Sequence, residues 1–414
     1  MAMKILLINK YLYLKGGDAT SALSTGELLR RKGHEVIFWG MDSPFNMEHS
    51  YRDYFISNVD YNVRNGIGKQ IRMSFNLLYS FEAKQKIAKL LKDIGKPDIV
   101  HLHNFSHQIS PSVLHIFKKY NSPVVMTMHD YKLVCASYAM LAKDKICEDC
   151  KDGRYYQCFL NSCVKNSGTK SLLNTVEMYL HHRILHIYDL IDIFISPSRF
   201  LKNKVKEMGF KGKVLYLPHF LNLEAYHPRY DWEENSIVYF GRLSREKGLF
   251  TLIEAMRRLP DITLKIIGEG SLRKALGNRV KAEGINNVEF VGYKTGEELR
   301  NEIRKSMVVV VPSEWYENLP FAVMEPFALG KSVIGARIGG IPELVKDSET
   351  GFTFESGNSN DLRSKIAHLA NNTEKITEMG QNARLFAEKE LNAERHYEKL
   401  IKIYNMAIEK HQQA

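Results

Sequence analysis

Two glutamates eight residues apart, Glu317 and Glu325, form the stretch of this 414-residue sequence that could best support chemistry. Glu317 follows an apolar run at 307–311, which is typical of a strand buried on both faces. Pro320 suits the first turn of a helix, so we predict that Glu317 lies in a strand-to-helix loop and Glu325 lies inside the helix. There the carboxylates could accept hydrogen bonds from ligand hydroxyl groups. The alternative is a solvated pair beside a loop.

Cations and free backbone amides surround these carboxylates in the predicted fold. Backbone N–H groups at the predicted helix start suit a phosphate or a sugar hydroxyl, and the residues there are Asn318, Leu319, Pro320 and Phe321. Arg242 and Lys247 stand five apart before another predicted helix, where two cations could hold a diphosphate. A solvated basic turn is the alternative. Together these residues describe a site for a nucleoside diphosphate joined to a hydroxylated group, without an Asp-x-Asp pair for a divalent metal.

Two features of the first half could face the same ligand. Gly16 and Gly17 follow the first predicted strand, so the backbone there could turn sharply and approach a phosphate closely. His129 comes directly after a predicted strand at 124–128, and such a position points into the ligand crevice of an open α/β sheet. A plain tight turn and a histidine packed in the domain wall are the alternatives.

The elements that position these residues alternate between strand and helix. The second half contains five strand–loop–helix units, which predict a parallel sheet with its loops at one edge. The predicted strands of that half are 237–240, 263–267, 288–291, 307–311 and 332–335. The first half has the same alternation, with one helix predicted over 172–190, and a polar, proline-bearing connection at 218–232 separates the halves. We therefore predict an α/β protein with two domains, the second of them built on a parallel sheet.

All five cysteines fall in one insertion of the first half, near residues 135–163. Four of them have spacings that suit a structural zinc site: Cys147, Cys150, Cys158 and Cys163. The polar segment between them could bury little of its own surface, so a metal would give it a reason to fold. Unpaired loop cysteines are the alternative, and we expect no catalytic metal.

The charge of the chain is unevenly distributed. Residues 1–220 carry 31 Lys and Arg against 19 Asp and Glu, or +12, whereas residues 221–414 carry 27 against 28, or −1. The basic half predicts an anionic partner, which could be nucleic acid, the cytoplasmic membrane face or a pyrophosphate-linked lipid. Because no nucleic-acid motif accompanies the charge, we expect no nucleic acid as partner. Residues 64–81 mix basic and aromatic side chains and predict either a helix on a membrane surface or a core-packed helix.

The motifs of the second half together resemble those of the retaining glycosyltransferases of family 4, which have the GT-B architecture of two Rossmann-like domains that face a central cleft. The matching residues are Gly241-Arg242-Leu243 with Lys247-Gly248, Glu317-x7-Glu325, and Gly339-Gly340-Ile341-Pro342-Glu343. The resemblance is dense over 237–357, looser over residues 3–40 and at His129-Asp130, and weakest over 41–97 and the cysteine segment. Asp18 stands where many relatives have a small apolar residue.

This resemblance implies a role for each candidate residue. Arg242 and Lys247 would hold the diphosphate of the donor, Glu325 would bind its ribose, and Glu317 with residues 318–321 would bind the donor sugar. His129 would reach that sugar from the other domain, and Gly16 and Gly17 would approach the phosphates. The backbone around Tyr293 would meet the base. Residues 1–218 would form the acceptor-side domain, 219–392 the nucleotide-sugar domain, and 393–414 a terminal helix that crosses back to the first.

We therefore expect a retaining glycosyltransferase in the cytoplasm, at the inner face of the cytoplasmic membrane. The favoured donor is a UDP-sugar rather than a GDP-sugar, and the favoured acceptor is a glycan or a lipid-linked sugar of a cell-surface polysaccharide. The alternatives are a small soluble acceptor, or an epimerase that acts on a nucleotide sugar. A non-catalytic nucleotide-sugar-binding protein fits less well, because Arg242, Lys247, Glu317 and Glu325 are all present.

Overall fold

The computed structural model of the chain describes residues 2–48, 50–58 and 76–413. The chain forms two compact units. The first contains Met1–Lys143, Cys147–Leu217 and His396–Ala414, and the second contains Asp144–Ile146 and Pro218–Arg395. Most of the predicted segment 64–81 falls outside the described residues, so its two interpretations stay predictions.

The first part of the chain alternates strands and helices as far as residue 216. Its elements are β1 (Lys4–Ile8), α1 (Gly17–Arg31), β2 (Glu35–Trp39), α2 (Phe81–Ile94), β3 (Ile99–Leu102), α3 (Leu114–Lys119), β4 (Val124–Thr127), β5 (Leu141–Ala142), β6 (Lys145–Ile146), α4 (Tyr156–Leu160), α5 (Gly168–Tyr179), β7 (Ile193–Ser196), α6 (Arg199–Glu207) and β8 (Val214–Tyr216). Six strands form one parallel sheet in the order β2-β1-β3-β4-β7-β8. The short strands β5 and β6 pair separately within the cysteine-rich insertion.

Continuous apolar runs make these strands the centre of the first unit. Every residue of β3, β4 and β7 is buried, as expected for a parallel sheet covered on both faces. The chain adds β2 on one side of β1 and β3 on the other, so the strand order reverses between β1 and β3. Open α/β sheets bind ligands in the crevice at the carboxyl ends of the strands next to such a reversal. Gly16 and Gly17 follow β1 at this point.

The chain between residues 168 and 190 differs from the single helix that the sequence pattern predicts for 172–190. Helix α5 ends at Tyr179, a π-helical turn covers Leu180–Ile184, and a 3-10 turn covers Ile187–Leu190. His186 has a left-handed backbone, with φ of 46°, which breaks the helical path between the two turns.

The second unit repeats the strand–helix alternation more regularly. Its elements are β9 (Ser236–Phe240), α7 (Leu249–Met256), β10 (Thr263–Ile267), α8 (Arg273–Ala282), β11 (Val288–Gly292), α9 (Gly296–Lys305), β12 (Val308–Val311), α10 (Phe321–Ala328), β13 (Val333–Ala336), α11 (Ile341–Leu344), β14 (Gly351–Phe354), α12 (Ser359–Ala370) and α13 (Thr373–Glu390). The strands form a second parallel sheet in the order β11-β10-β9-β12-β13-β14. The prediction of two α/β domains with parallel sheets is confirmed.

The last helix, α14 (Ala393–Gln412), packs on the first unit from His396 onward. The Tyr397 hydroxyl lies 2.9 Å from Nε2 of His34, and the Tyr404 hydroxyl lies 2.7 Å from Nδ1 of His101. Both contacts join the C-terminal helix to residues more than 300 positions earlier in the chain. Within the part of the chain that the structure describes, no helix combines the length and apolarity that crossing a bilayer requires.

Candidate active site

The second sheet has its own reversal of strand order, between β9 and β12. Two of the predicted site loops leave the sheet at this point. Residues 241–248 follow β9 and carry the two cations, and residues 312–320 follow β12 and carry the first glutamate. The carboxyl ends of neighbouring parallel strands lie at one edge, so the topology brings these loops together.

Lys247 and Glu317 form the central pair of this edge. The Lys247 ammonium donates a hydrogen bond of 2.6 Å to Oε1 of Glu317. The Ser313 hydroxyl donates to the same carboxylate oxygen over 2.7 Å. Lys247 also stands over the Trp315 ring, with 5.2 Å between its Nζ and the ring centroid. The pair therefore joins two loops that are 70 positions apart in the sequence.

The hydrogen bonds of Glu317 decide its charge. Burial by itself would raise the pKa of this carboxyl, but the Lys247 ammonium and the Ser313 hydroxyl hold the pKa below its ordinary value. Glu317 is therefore ionised at neutral pH, and an ionised carboxylate only accepts hydrogen bonds. A ligand that donates hydroxyl protons fits this charge state.

Two glycines bring the loops close enough for the pair to form. Gly339 has φ of +60°, and a Cβ there would lie 2.3 Å from the carbonyl oxygen of Glu317. The next N–H, from Gly340, donates to that carbonyl over 2.8 Å. Gly248 has φ of +68°, and its Cβ would lie 1.8 Å from the carbonyl oxygen of Pro312. A side chain at either glycine would force the loops apart.

Arg242 occupies the same loop as Lys247 but has a different partner. Its guanidinium donates a 2.8 Å hydrogen bond to Oε1 of Glu246, and 65% of its side chain is exposed. The Ser244 hydroxyl donates to the same oxygen of Glu246 over 2.7 Å. The structure therefore holds Arg242 at the surface of the loop, where an anionic ligand can reach it.

Helix α10 begins at Phe321, next to the start that the sequence predicts near Pro320. Pro320 is its N-cap residue and provides no side-chain cap, so the first amides of the helix depend on other acceptors. Asn318 and Leu319 lie in the loop before Pro320, and Phe321 is the first helical residue. The His219 ring stacks on the Phe321 ring with a centroid separation of 5.4 Å.

The second predicted carboxylate, Glu325, lies one turn into α10 and has a different environment. Burial raises its pKa to about 7, although the Arg300 charge and a hydrogen bond with Tyr226 oppose that rise. Glu325 therefore changes its charge near neutral pH, in contrast to Glu317. The predicted base-binding residue, Tyr293, follows β11 and has 69% of its surface exposed.

The first unit places a group of ionisable residues after β1, β3 and β4. Nε2 of His129 lies 2.9 Å from Nδ1 of His103, and burial lowers the pKa of His129 to about 4. Burial also raises the pKa of Asp130 and lowers the pKa of Lys10. Asp18 accepts a 2.7 Å hydrogen bond from the Asn104 amide, next to the exposed Gly16 and Gly17.

Sequence reasoning singled out His129 within this group but missed Lys10, His103 and Asp130 as site residues. A usable signal existed, because Lys10 and His103 come within two residues of a strand end and Asp130 follows His129. Such positions lie at the ligand edge of a parallel sheet.

A buried ion pair supports the loop that carries His129. Nζ of Lys132 donates a 2.7 Å hydrogen bond to Glu177 of α5, and both side chains are almost completely buried. The Lys132 amide donates to Oδ1 of Asp130 over 2.9 Å. Removing one member of such a pair leaves an uncompensated buried charge, so the pair fixes the loop against α5.

The four predicted zinc ligands are all described, and zinc binding by them stays a prediction. None of the five cysteines is in a disulfide, and no group of three or more His, Cys, Asp or Glu side chains in the described ranges is arranged to hold a metal ion. Cys163 and Cys158 share a side-chain hydrogen bond, and Cys163 also interacts electrostatically with Cys147 and Cys150. The segment has a core of its own, which includes buried Tyr155 and Cys158, and α4 packs against α5.

Two family models match the chain and together cover most of it. Residues 15–225, more than half of the chain, match the family described as Glycosyltransferase Family 4. Residues 225–386 match the family described as Glycosyl transferases group 1. The boundary between the two matches falls in the connection between the two sheets.

Individual relatives agree with these matches. An uncharacterized glycosyltransferase of Methanocaldococcus jannaschii is 27% identical over 387 residues, which cover 94% of this chain and 94% of that protein. The amylovoran biosynthesis glycosyltransferase AmsK of Erwinia amylovora is 28% identical over 231 residues, which cover 51% of this chain and 56% of that protein.

Solved structures share the fold over almost the whole chain. Sucrose-phosphate synthase from Thermosynechococcus elongatus has a TM-score of 0.73 at 20% identity and covers 97% of this chain and 98% of its own. The crystal structure of Anabaena HepE in complex with UDP has a TM-score of 0.68 at 16% identity and covers 97% of this chain and 100% of its own. The chain belongs to glycosyltransferase family 4, and it is a glycosyltransferase of the group 1 type with the GT-B architecture.

Proposed function

We propose that this glycosyltransferase moves a sugar from a UDP-sugar to a glycan or lipid-linked acceptor in the synthesis of a cell-surface polysaccharide. The anomeric configuration of the sugar is retained. The hydrogen-bonded pair of Lys247 and Glu317 at the strand reversal of the second sheet is the observation that carries the proposal. The pair places a cation next to an ionised carboxylate. The cation suits the charged diphosphate leaving group, and the carboxylate suits the hydroxyl groups of the sugar bonded to it.

Lys247 can serve the sugar side and the phosphate side of the donor at once. An ammonium group has three donors, and in the structure one of them is used by Glu317. The other two can reach diphosphate oxygens while Glu317 accepts from a sugar hydroxyl. Arg242 adds a second cation in the same loop, and amides at the start of α10 add neutral donors.

The chemical step needs charge stabilisation rather than a separate nucleophile. The bond between the anomeric carbon and the diphosphate oxygen breaks, and the acceptor oxygen bonds to the same face of that carbon. The acceptor proton passes to the departing diphosphate oxygen, so the charges balance. Lys247 and Arg242 would stabilise the negative charge that develops on the diphosphate. His129 and the backbone N–H groups of Asn318, Leu319 and Phe321 would hold the sugar, and Glu325 would hold the ribose. Pro320 has no N–H and would only set the turn that brings its neighbours to the sugar.

The donor and the acceptor are inferred from relatives and from charge. HepE of Anabaena was solved with UDP, and AmsK of Erwinia amylovora is a biosynthetic glycosyltransferase for amylovoran. These names support UDP and a polysaccharide product. The net charge of +12 on residues 1–220 supports an acceptor at the inner face of the cytoplasmic membrane.

The first test is a melting-temperature panel with uridine, guanosine, adenosine and cytidine diphosphates. A ligand at about 100 times its dissociation constant adds about 2.7 kcal/mol of stability. We expect a clear upward shift with UDP and much smaller shifts with the other three. A larger shift with GDP would contradict the assignment of the donor base.

Matched arginines in one loop test the diphosphate site. Arg242→Ala should weaken UDP binding about tenfold or more, because a cation that meets the diphosphate is lost. Arg245→Ala removes a similarly exposed arginine two residues from Lys247 and should leave UDP affinity unchanged. Equal affinities for both variants and the wild type would move the phosphate site away from Arg242.

Product analysis separates the proposal from its rivals. Incubation with UDP-sugars and membrane extract should label a lipid-extractable or polymeric product. Conversion of the donor into another nucleotide sugar without any acceptor would identify an epimerase instead. Transfer only to small soluble sugars would remove the membrane-linked acceptor from the proposal.

A further inference from the structure

Exposed apolar side chains are concentrated in one short part of the first unit. Phe159 and Leu160 lie on α4, Leu172 and Val176 lie on α5, and Ile184 lies on the π-helical turn that continues α5. Leu160 and Ile184 are 64% and 69% exposed. Single exposed apolar residues are ordinary on protein surfaces, but a group of this kind marks an interaction surface.

These five side chains belong to two packed helices rather than to separate surfaces. Helix α4 packs against α5, and a Cβ added at Gly168 would lie 3.9 Å from the Phe159 ring. Leu172, Val176 and Ile184 recur at multiples of four residues, which places them along one side of the helical path. We call these five residues the α4–α5 face.

The inner side of α5 is already occupied by the core of the first unit. Thr175, Glu177 and Met178 are buried there, and the Thr175 hydroxyl donates to the carbonyl of Tyr155 over 3.2 Å. The apolar residues of the α4–α5 face are therefore additional to those that hold the helix in place. Their exposure is not needed for the fold.

The charge around the face is mostly positive, with exposed carboxylates at its borders, which are Asp149, Asp152 and Asp189. Residues 154–186 contain four exposed cationic side chains, which are Arg154, Lys165, Lys170 and Arg183. The same stretch contains one carboxylate, Glu177, and that group is buried in its ion pair with Lys132. The stretch therefore presents apolar and positive groups to the solvent without an exposed carboxylate of its own.

We propose that the α4–α5 face lies on a bilayer surface that contains anionic phospholipid. Apolar side chains of such a face enter the region between headgroups and acyl chains, and the surrounding lysines and arginines meet the lipid phosphates. The four exposed cations outnumber the three exposed carboxylates at the borders of the face, so the patch has a net positive charge that complements a negatively charged surface. This inference deepens the proposed function, because it rests on a membrane-linked acceptor and names the surface that meets the membrane.

The face is also connected to the predicted sugar site of the first unit. Glu177 on the inner side of α5 pairs with Lys132, which is three residues from His129. The helix that meets the lipid thus supports the loop that carries this histidine. Docking through α5 would fix the position of that loop relative to the bilayer surface.

The test is flotation of the full-length protein with vesicles of phosphatidylglycerol and phosphatidylcholine, and with vesicles of phosphatidylcholine alone. We expect binding to the anionic vesicles, with a decrease at high salt, and little binding to the neutral ones. The double variant Leu172→Ser/Val176→Ser should lower the partition coefficient about tenfold or more, since two inserted side chains are lost. Leu385→Ser is the matched control, because Leu385 is 62% exposed on α13 of the second unit.

A second pair of variants tests the charge. Lys165→Glu/Lys170→Glu should abolish binding to the anionic vesicles. The control is Lys274→Glu/Lys281→Glu, which changes the net charge by the same amount at exposed positions of α8 and should retain most of the vesicle binding. Each variant should keep the melting temperature and the UDP-induced shift of the wild type. That readout separates the two proposals, because a missing UDP shift defeats the donor assignment and leaves vesicle binding unaffected.

Two results would overturn the inference. Vesicle binding that is equal in the wild type and in the Leu172→Ser/Val176→Ser variant would remove the α4–α5 face from the membrane contact. A wild type that ignores vesicles but dimerises in analytical ultracentrifugation, with the dimer lost in that variant, would make the face a contact between two copies of the chain.

Discussion

The central pair of the second unit and the group after β1, β3 and β4 of the first unit differ in what sets their charges. In the second unit, Lys247 and Glu317 are paired at 2.6 Å, and the pairing keeps the carboxylate ionised in spite of its burial. In the first unit, burial dominates for the group after β1, β3 and β4. It lowers the pKa of His129 to about 4, raises that of Asp130 and lowers that of Lys10.

This difference follows from what stands within hydrogen-bonding distance of each group. When a buried charged group has an opposite charge at contact distance, that attraction offsets its loss of hydration and the group stays charged. When the attraction offsets only part of the loss, the pKa shifts toward the neutral form of the group. A site of fixed charges suits a diphosphate, which is charged throughout the reaction. A site with a neutral imidazole suits the uncharged hydroxyl groups of a sugar.

The largest expected effect comes from removing the fixed negative charge. Glu317→Gln keeps the shape of the side chain but loses the charge, and we expect transfer to fall about a thousandfold or more. UDP binding should remain, because in the proposed site Glu317 faces the sugar rather than the diphosphate. Steady-state kinetics and the UDP melting shift measure the two effects separately.

Glu314→Gln is the control for that experiment. Glu314 lies in the same loop, but its carboxylate accepts a 2.6 Å hydrogen bond from Thr251, away from the central pair. It should change transfer little. A Glu317→Gln variant that folds but loses its UDP shift would refute the sugar-side role of this residue.

A smaller loss is expected when the pair is displaced rather than removed. Gly339→Ala puts a Cβ against the carbonyl of Glu317 and adds the strain of φ at +60°. Gly284→Ala, with φ of +62° and nothing within 4 Å of its Cβ, adds only the strain. We expect the backbone strain to lower the free energy of unfolding by about 1–2 kcal/mol in both variants. Only Gly339→Ala should also lower the rate of sugar transfer, by about tenfold to a hundredfold. Equal kinetics in both variants would mean that the position of Glu317 does not depend on Gly339.

The smallest effect is a difference in pH dependence. Glu325, with its pKa raised to about 7, should bind ribose hydroxyls better when ionised. Uridine affinity should therefore increase by up to about tenfold between about pH 6 and pH 8. His129, with its pKa near 4, stays neutral over that range and adds no slope. Calorimetric titration should show a uridine affinity that does not change with pH for Glu325→Gln and one that changes as in the wild type for His129→Asn. If the pH dependence remains in Glu325→Gln, another group causes it.

The regular second unit was accessible to sequence reasoning because local signals agree there. Apolar runs followed by glycine-bearing loops predicted the strands from β9 to β13, and the loop position of Glu317 followed from the strand before it and from Pro320 after it. The less regular first unit was harder. The segment 172–190 was predicted as one helix, and the break at His186 has no strong sequence signal, since no glycine or proline marks it.

Cysteine spacing shows what a local pattern leaves to the tertiary structure. The spacing of Cys147 and Cys150 is compatible with zinc, but four ligands bind a metal only when their directions converge. The tertiary structure buries Cys158 and packs α4 on α5. The segment therefore has packing of its own, and its zinc site stays a prediction.

By itself the sequence determined the α/β class, the alternation of strands and helices, and the placement of Lys247, Glu317 and Glu325 beside strand ends. Those properties depend on neighbouring residues, because hydrophobic periodicity and turn chemistry act over a few positions. Only the tertiary structure decided that Lys247 bonds Glu317, that Gly339 supports Glu317, and that Glu325 but not Glu317 titrates near neutral pH. Pairing and burial depend on groups brought together from distant parts of the chain, and the order of the strands sets which groups meet.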